Sequence, residues 1–160
     1  MSIQLSPLPL PAKADRVKMA EFGREIKGVD LKNVTPTQFA QIREALYKHE
    51  IILFRDVKIS PAEQAAFTKA FDPTSNGYGH AFDPSVSEIS TRLLQMHGIP
   101  GLVYPHDWQK NDLILFHNRG LMHSVTGALK DDDLRVFHQC NLHGSDDPAP
   151  PSAEDIKKYA

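Results

Sequence analysis

Two apolar runs of four residues, Ile51-Ile52-Leu53-Phe54 and Leu113-Ile114-Leu115-Phe116, are the longest uninterrupted hydrophobic stretches in the chain. Each is too short for a helix and is flanked by polar or charged residues, so each predicts a buried strand. Ahead of the first run, Thr35-Pro36-Thr37-Gln38 spells a helix start. Thr35 can cap, Pro36 suits the first turn, and Gln38 can reach back to complete a capping box. Phe39, Ile42, Ala45 and Leu46 then follow at helical spacing. Beyond the run, Ser60-Pro61-Ala62-Glu63 repeats the start signature, and Phe67, Ala70 and Phe71 supply the next apolar stripe. Residues 22–71 therefore predict the order helix, strand, helix.

A second unit follows at residues 102–142. Residues 102–104 and 112–116 predict strands separated by a turn at Gln109-Lys110-Asn111. Residues 134–142 alternate with the period of a two-faced strand. One face carries Leu134, Val136, His138, Cys140 and Leu142; the other carries Arg135, Phe137, Gln139 and Asn141. Between the units, the stretch around 73–101 is broken by Gly77, Gly79, Gly98, Gly101 and scattered prolines. Only residues 88–96 predict a short helix there. Prolines also cluster at both chain ends, so residues 1–21 and 143–160 are expected to be extended, poorly packed tails around one domain at 22–142.

Composition narrows the function classes. The chain has 160 residues, which suits a single domain, and a formal net charge of −2. A nucleic-acid or anionic-membrane binder would carry a basic excess. A membrane-spanning helix needs about 20 apolar residues, and no run approaches that. The opening MSIQLSPLPLPAK lacks the basic-then-apolar order of a signal peptide. Cys140 is the sole cysteine, which excludes an internal disulfide framework and a cysteine-based zinc site. The expected setting is the reducing cytoplasm, with Cys140 as a buried thiol.

The chemistry-bearing residues lie in the second unit. An arginine beside Gln139 and Asn141 on one strand face reads as a solvent face in an open sheet. In a closed sheet with a polar interior, the same face would bind a ligand, and Arg135 could clamp a carboxylate. The run Asp112-Leu113-Ile114-Leu115-Phe116-His117-Asn118-Arg119-Gly120-Leu121-Met122-His123, with Arg135 twelve positions further on, resembles the C-terminal signature of the TauD/TfdA family of Fe(II)- and 2-oxoglutarate-dependent dioxygenases. Gly23-Arg24-Glu25-Ile26-Lys27-Gly28-Val29-Asp30-Leu31 and His49-Glu50-Ile51-Ile52-Leu53-Phe54-Arg55 resemble that family's N-terminal region. Tyr104-Pro105-His106-Asp107-Trp108 and Gln139-Cys140-Asn141 look most like its fungal xanthine-dioxygenase branch.

The resemblance implies an α+β fold built on a double-stranded β-helix, or jelly roll, with flanking helices. It implies Fe(2+) on a facial triad of two histidines and a carboxylate, with 2-oxoglutarate as cosubstrate and a small-molecule substrate. His123 matches the distal histidine ligand, Arg135 the arginine that pairs with 2-oxoglutarate, and Gln139 and Asn141 positions that face a purine. No catalytic residue beyond the metal site is implied.

The chain departs from the family in its middle. The other two ligands should come from His-x-Asp or His-x-Glu, yet none of the eight histidines has an acidic residue two positions on. His80 and Asp83 come nearest, with one residue too many between them. His80, His97 or His106 joining His123 in a different metal site matches no known spacing. Family members are longer, and the shortfall falls at about 73–101, so a large internal deletion is expected. A jelly roll needs about eight strands, more than the pattern supplies. The alternative expectation is therefore an inactive remnant or a non-catalytic binding module.

Overall fold

The computed structural model describes residues 2–73, 101–118, 120–123, 137–141 and 152–154. Six elements follow in order: β1 (Gln4–Pro7), β2 (Arg24–Lys27), α1 (Pro36–His49), β3 (Ile51–Phe54), α2 (Pro61–Lys69) and β4 (Leu113–Phe116). The strands form one mixed sheet in the order β1-β2-β3-β4. β1 and β2 are antiparallel, β2 and β3 parallel, and β3 and β4 antiparallel. A parallel neighbour needs a crossover, and α1 supplies it between β2 and β3.

Both helices begin as the capping boxes dictate. The Thr35 side chain accepts from the Gln38 backbone N–H while Gln38 Oε1 accepts from the Thr35 N–H at 3.1 Å. Ser60 and Glu63 repeat the exchange at the start of α2. Helix α1 buries Ile42, Ala45, Leu46 and His49, the one-face spacing of an amphipathic helix. From α2, Phe67 is buried among the rings of Phe39, Phe54 and Phe71. These side chains close over Ile26, Ile52 and Phe54 to form the main core, with Leu113 and Leu115 packed against it.

Strand alternation sends Ile51, Leu53, Ile114 and Phe116 to the opposite face. Leu53 is fully buried there. Leu8 and Met19 of the N-terminal segment are buried too, and Leu8 and Ile51 both close on Gly23. Gly23, at φ +69°, permits the close approach: a Cβ on it would lie 2.6 Å from Leu8 Cδ1 and 3.0 Å from Ile51 Cγ2. The Gly23 N–H donates to the His49 carbonyl at 2.9 Å. The buried His49 ring is satisfied by the Glu21 carbonyl, 2.6 Å from Nδ1.

Several sequence expectations need correction. Residues 1–21 are not simply a poorly packed tail, since β1 pairs with β2 and Leu8 is buried. Pro7 is tolerated because β1 is an edge strand of the described sheet, where a missing N–H costs no ladder bond. Residues 102–104 form no strand. Pro105 follows them without an N–H, Leu102 and Val103 stay exposed, and the backbone of Gly101 is engaged by the Asp15 N–H instead. Residues 137–141, the described part of the alternating segment, form no strand either, and Cys140 is half-buried. Its backbone is held by α2, whose Gln64 Nε2 donates to the His138 carbonyl at 3.1 Å. The helix expected at 88–96 lies outside the described residues. Among the described residues no helix is long and apolar enough to cross a membrane.

Ile52 has no exposed surface, so Ile52→Ala is expected to cost about 2–5 kcal/mol in urea denaturation. Thr35→Ala, which removes a cap, should cost about 1 kcal/mol. The Ser60 backbone N–H, then its hydroxyl and Lys32, hold the Glu63 carboxyl below its ordinary value. Its contribution is therefore complete above the ordinary glutamate range and fades as pH falls through the lowered value. In acid titrations followed by circular dichroism, Glu63→Gln should flatten that part of the profile.

Candidate active site

The two strands best marked in the sequence pair with each other. Ile51, Ile52, Leu53 and Phe54 stand opposite Phe116, Leu115, Ile114 and Leu113. That register places Arg55, just past β3, beside Asp112, just before β4. It also places Glu50, just before β3, beside His117, just past β4.

The Arg55–Asp112 end is a buried polar cluster. The Asp112 side chain is wholly buried and its Oδ2 takes three contacts: Arg55 Nη1 at 2.5 Å, the Gln109 N–H at 2.9 Å and His106 Nε2 at 3.2 Å. Tyr104 Oη lies 3.3 Å from His106 Nδ1, and Trp108 stands edge-on to the His106 ring. Burial pushes the Tyr104 phenol up, with the Arg55 charge opposing and Asp107 and Asp112 adding to the rise. Asp112 Oδ1 is buried without a partner. Sequence reasoning missed this cluster. The available signal was an arginine directly after one four-residue run and an aspartate directly before the other.

At the other end, β4 passes into a turn that carries His123 back over the sheet. The His117 carbonyl accepts from the Gly120 and Leu121 N–H groups at 3.0 and 3.2 Å. The His123 ring is exposed and rests against Phe116, with ring centroids 4.6 Å apart. Phe116 lies on the face away from the helices, so His123 does as well.

Gln139 and Asn141 come together: Gln139 Nε2 donates to Asn141 Oδ1 at 2.9 Å. That leaves Gln139 Oε1 as an acceptor and the Asn141 amide group as a donor, side by side. Arg135, His80, Asp83 and His97 lie outside the described residues, so the expected approach of Arg135 to His123 does as well. His106 does not join His123. It is held at the Asp112 end of β4, while His123 stands at the Phe116 end.

An iron triad needs three protein donors on one side of the metal. Among the described residues no three His, Cys, Asp or Glu side chains are grouped to hold a metal. The orphaned Asp112 oxygen does not suit a cation, because the same carboxylate already faces Arg55 and His106. The described residues therefore do not by themselves fit an iron centre. A cleft of about 650 Å³ between residues 25–32 and 54–59 contains none of the predicted site residues.

The model of the taurine catabolism dioxygenase TauD, TfdA family matches the chain in two stretches, 8–92 and 83–141. The chain belongs to the TauD/TfdA family. It is 54% identical over 74 residues to an alpha-ketoglutarate-dependent xanthine dioxygenase of Schizosaccharomyces pombe, covering 46% of this chain and 18% of the relative. A second such enzyme, from Neurospora crassa, is 54% identical over 63 residues, covering 39% of this chain and 15% of the relative. The crystal structure of a taurine dioxygenase from Burkholderia xenovorans aligns at 31% identity and a TM-score of 0.37, covering 51% of this chain and 26% of that one. The chain thus spans less than a fifth of the length of these two fungal relatives.

Arg55→Met would leave the buried Asp112 carboxylate without its cation, and should cost about 3 kcal/mol in chemical denaturation. Asp112→Asn should cost less. The amide oxygen still accepts from the Gln109 N–H, and Arg55 reaches solvent and the Asp107 carbonyl, so no buried charge is stranded.

Proposed function

We propose that the chain carries parts of an Fe(II)/2-oxoglutarate-dependent dioxygenase that hydroxylates a small, flat, polar heterocycle, with xanthine as the leading candidate. The observation that carries this reading is the 46–54% identity to fungal alpha-ketoglutarate-dependent xanthine dioxygenases. The reaction class is oxidative decarboxylation of 2-oxoglutarate to succinate and carbon dioxide, coupled to substrate hydroxylation. In this reading His123 is the distal iron ligand, and Arg135 pairs with the far carboxylate of 2-oxoglutarate by a bidentate contact. Gln139 and Asn141 read an N–H/C=O edge of the substrate, since each amide both donates and accepts. The mixed sheet is one part of a jelly roll running over residues 22–142, interrupted at about 73–101. The protein works in the cytoplasm on a small molecule, not on nucleic acid or membrane.

A second reading has its own support. The chain lacks His-x-Asp and His-x-Glu, and the described residues offer no trio of donors. In that reading the molecule is a non-catalytic remnant or a binding module. His80 and Asp83 are the remaining candidates to complete a triad, but their spacing differs from a strand-borne His-x-Asp, whose two side chains share a face.

Anaerobic calorimetry with Mn(II) separates the two for this chain. Weak, non-saturating heats are expected, because one imidazole does not hold a labile divalent ion tightly. Tight binding at one site would show that a triad forms. Inserting the missing middle from a full-length relative should restore succinate formation with xanthine, and Gln139→Ala with Asn141→Ala should lower it. Turnover of taurine and not xanthine would end the purine reading.

A further inference from the structure

The geometry points to a latch made of Glu50, His117 and Gly120 that fixes the turn carrying His123. This makes Glu50 and His117 positioning residues for the proposed site. The use of the latch rests on reading His123 as a ligand; its existence does not.

Glu50 ends α1 in the left-handed conformation, φ 66°, a position where glycine is usual and a Cβ is disfavoured. The side chain kept there reaches the turn. Glu50 Oε2 lies 2.9 Å from His117 Nδ1, so the ring N–H donates to the carboxylate. Tyr47, from the last turns of α1, stands edge-on to the same imidazole with centroids 5.3 Å apart. The Glu50 carbonyl accepts the His117 N–H at 2.9 Å, one rung beyond β4.

The carboxylate also touches the far side of the turn. A Cβ on Gly120 would run into the Glu50 carboxyl group, so an alanine there would push that carboxylate out of its place. Glu50 therefore contacts residues 117 and 120, whose backbones are already joined by the Gly120 N–H to His117 carbonyl bond of 3.0 Å. Three residues on, His123 meets Phe116. Both Glu50 and His117 side chains are about one-third exposed, and solvent screens such a pair. Its effect is to select one geometry of the turn more than to stabilise the whole fold.

The test uses the full chain without metal, with histidine ring signals followed by NMR. Phe116 should displace the His123 ring-proton shifts, and Phe116→Leu defines the undisplaced value. Glu50→Gly should abolish the displacement while leaving the thermal midpoint unchanged or raised, because glycine suits the left-handed position. Gly120→Ala should abolish it with Glu50 still present. Glu50→Gln should retain it, since the amide oxygen can still accept from His117. A displacement that persists in both Glu50→Gly and Gly120→Ala would overturn the latch, as would its absence from the wild-type chain. No metal enters this experiment, so its failure leaves the reading of His123 as a ligand standing.

Discussion

The antiparallel ladder between β3 and β4 is the constraint on which the rest of the structure depends. It joins two purely apolar strands from distant parts of the chain in one register. Such pairing has to repay the entropy of closing a long loop, and both ends of the ladder carry side-chain pairs that favour this alignment. Arg55 and Asp112, 57 residues apart, meet at one end; Glu50 and His117, 67 apart, meet at the other. A slip by one residue would turn Leu113 and Leu115 out of the core and separate both pairs. The two ends differ in kind. Asp112 is wholly buried, so losing its partner strands a charge. Glu50 and His117 reach solvent, so their contact mainly sets geometry.

The ladder also divides the sheet into two environments. On one face α1, α2 and the cluster around Phe67 form a dry core. On the other, Leu8 and Ile51 close on Gly23, and the turn after β4 brings His123 against Phe116. The residue expected to do chemistry thus stands on the face that the helices leave. The core of one face supports the position of the side chain on the other. None of the eight histidines has an acidic residue two positions on.

Features governed by local chemistry were legible in the sequence. Thr35 and Ser60 start their helices through capping boxes, and both four-residue apolar runs are strands. β1 was obscured by Pro7 and the prolines that follow it, and β2 by the charges on either side of Ile26. Residues 102–104 have strand-like composition but gain no ladder partner, because a strand exists only with a neighbour. At the candidate site, Gln139 meets Asn141 by a direct hydrogen bond in a segment that forms no strand, so the strand period expected there is not what pairs them. Arg135, His80 and Asp83 lie outside the described residues. The Arg55–Asp112 and Glu50–His117 pairs escaped notice because each depends on the register of β3 against β4. Once that register is known, both follow from the residues flanking the two apolar runs.

Hydrogen–deuterium exchange of the full chain, read at residues 113–117 against α1, tests the ladder most directly. The account predicts slow exchange at Leu113, Leu115 and His117, comparable to the buried turns of α1, because these alternate amides face β3 and Glu50. Exchange at 113–117 as fast as in an unfolded chain, with α1 still protected, would contradict it. The C-terminal unit would then not be docked on the N-terminal one, and the placement of His123 would lose its support.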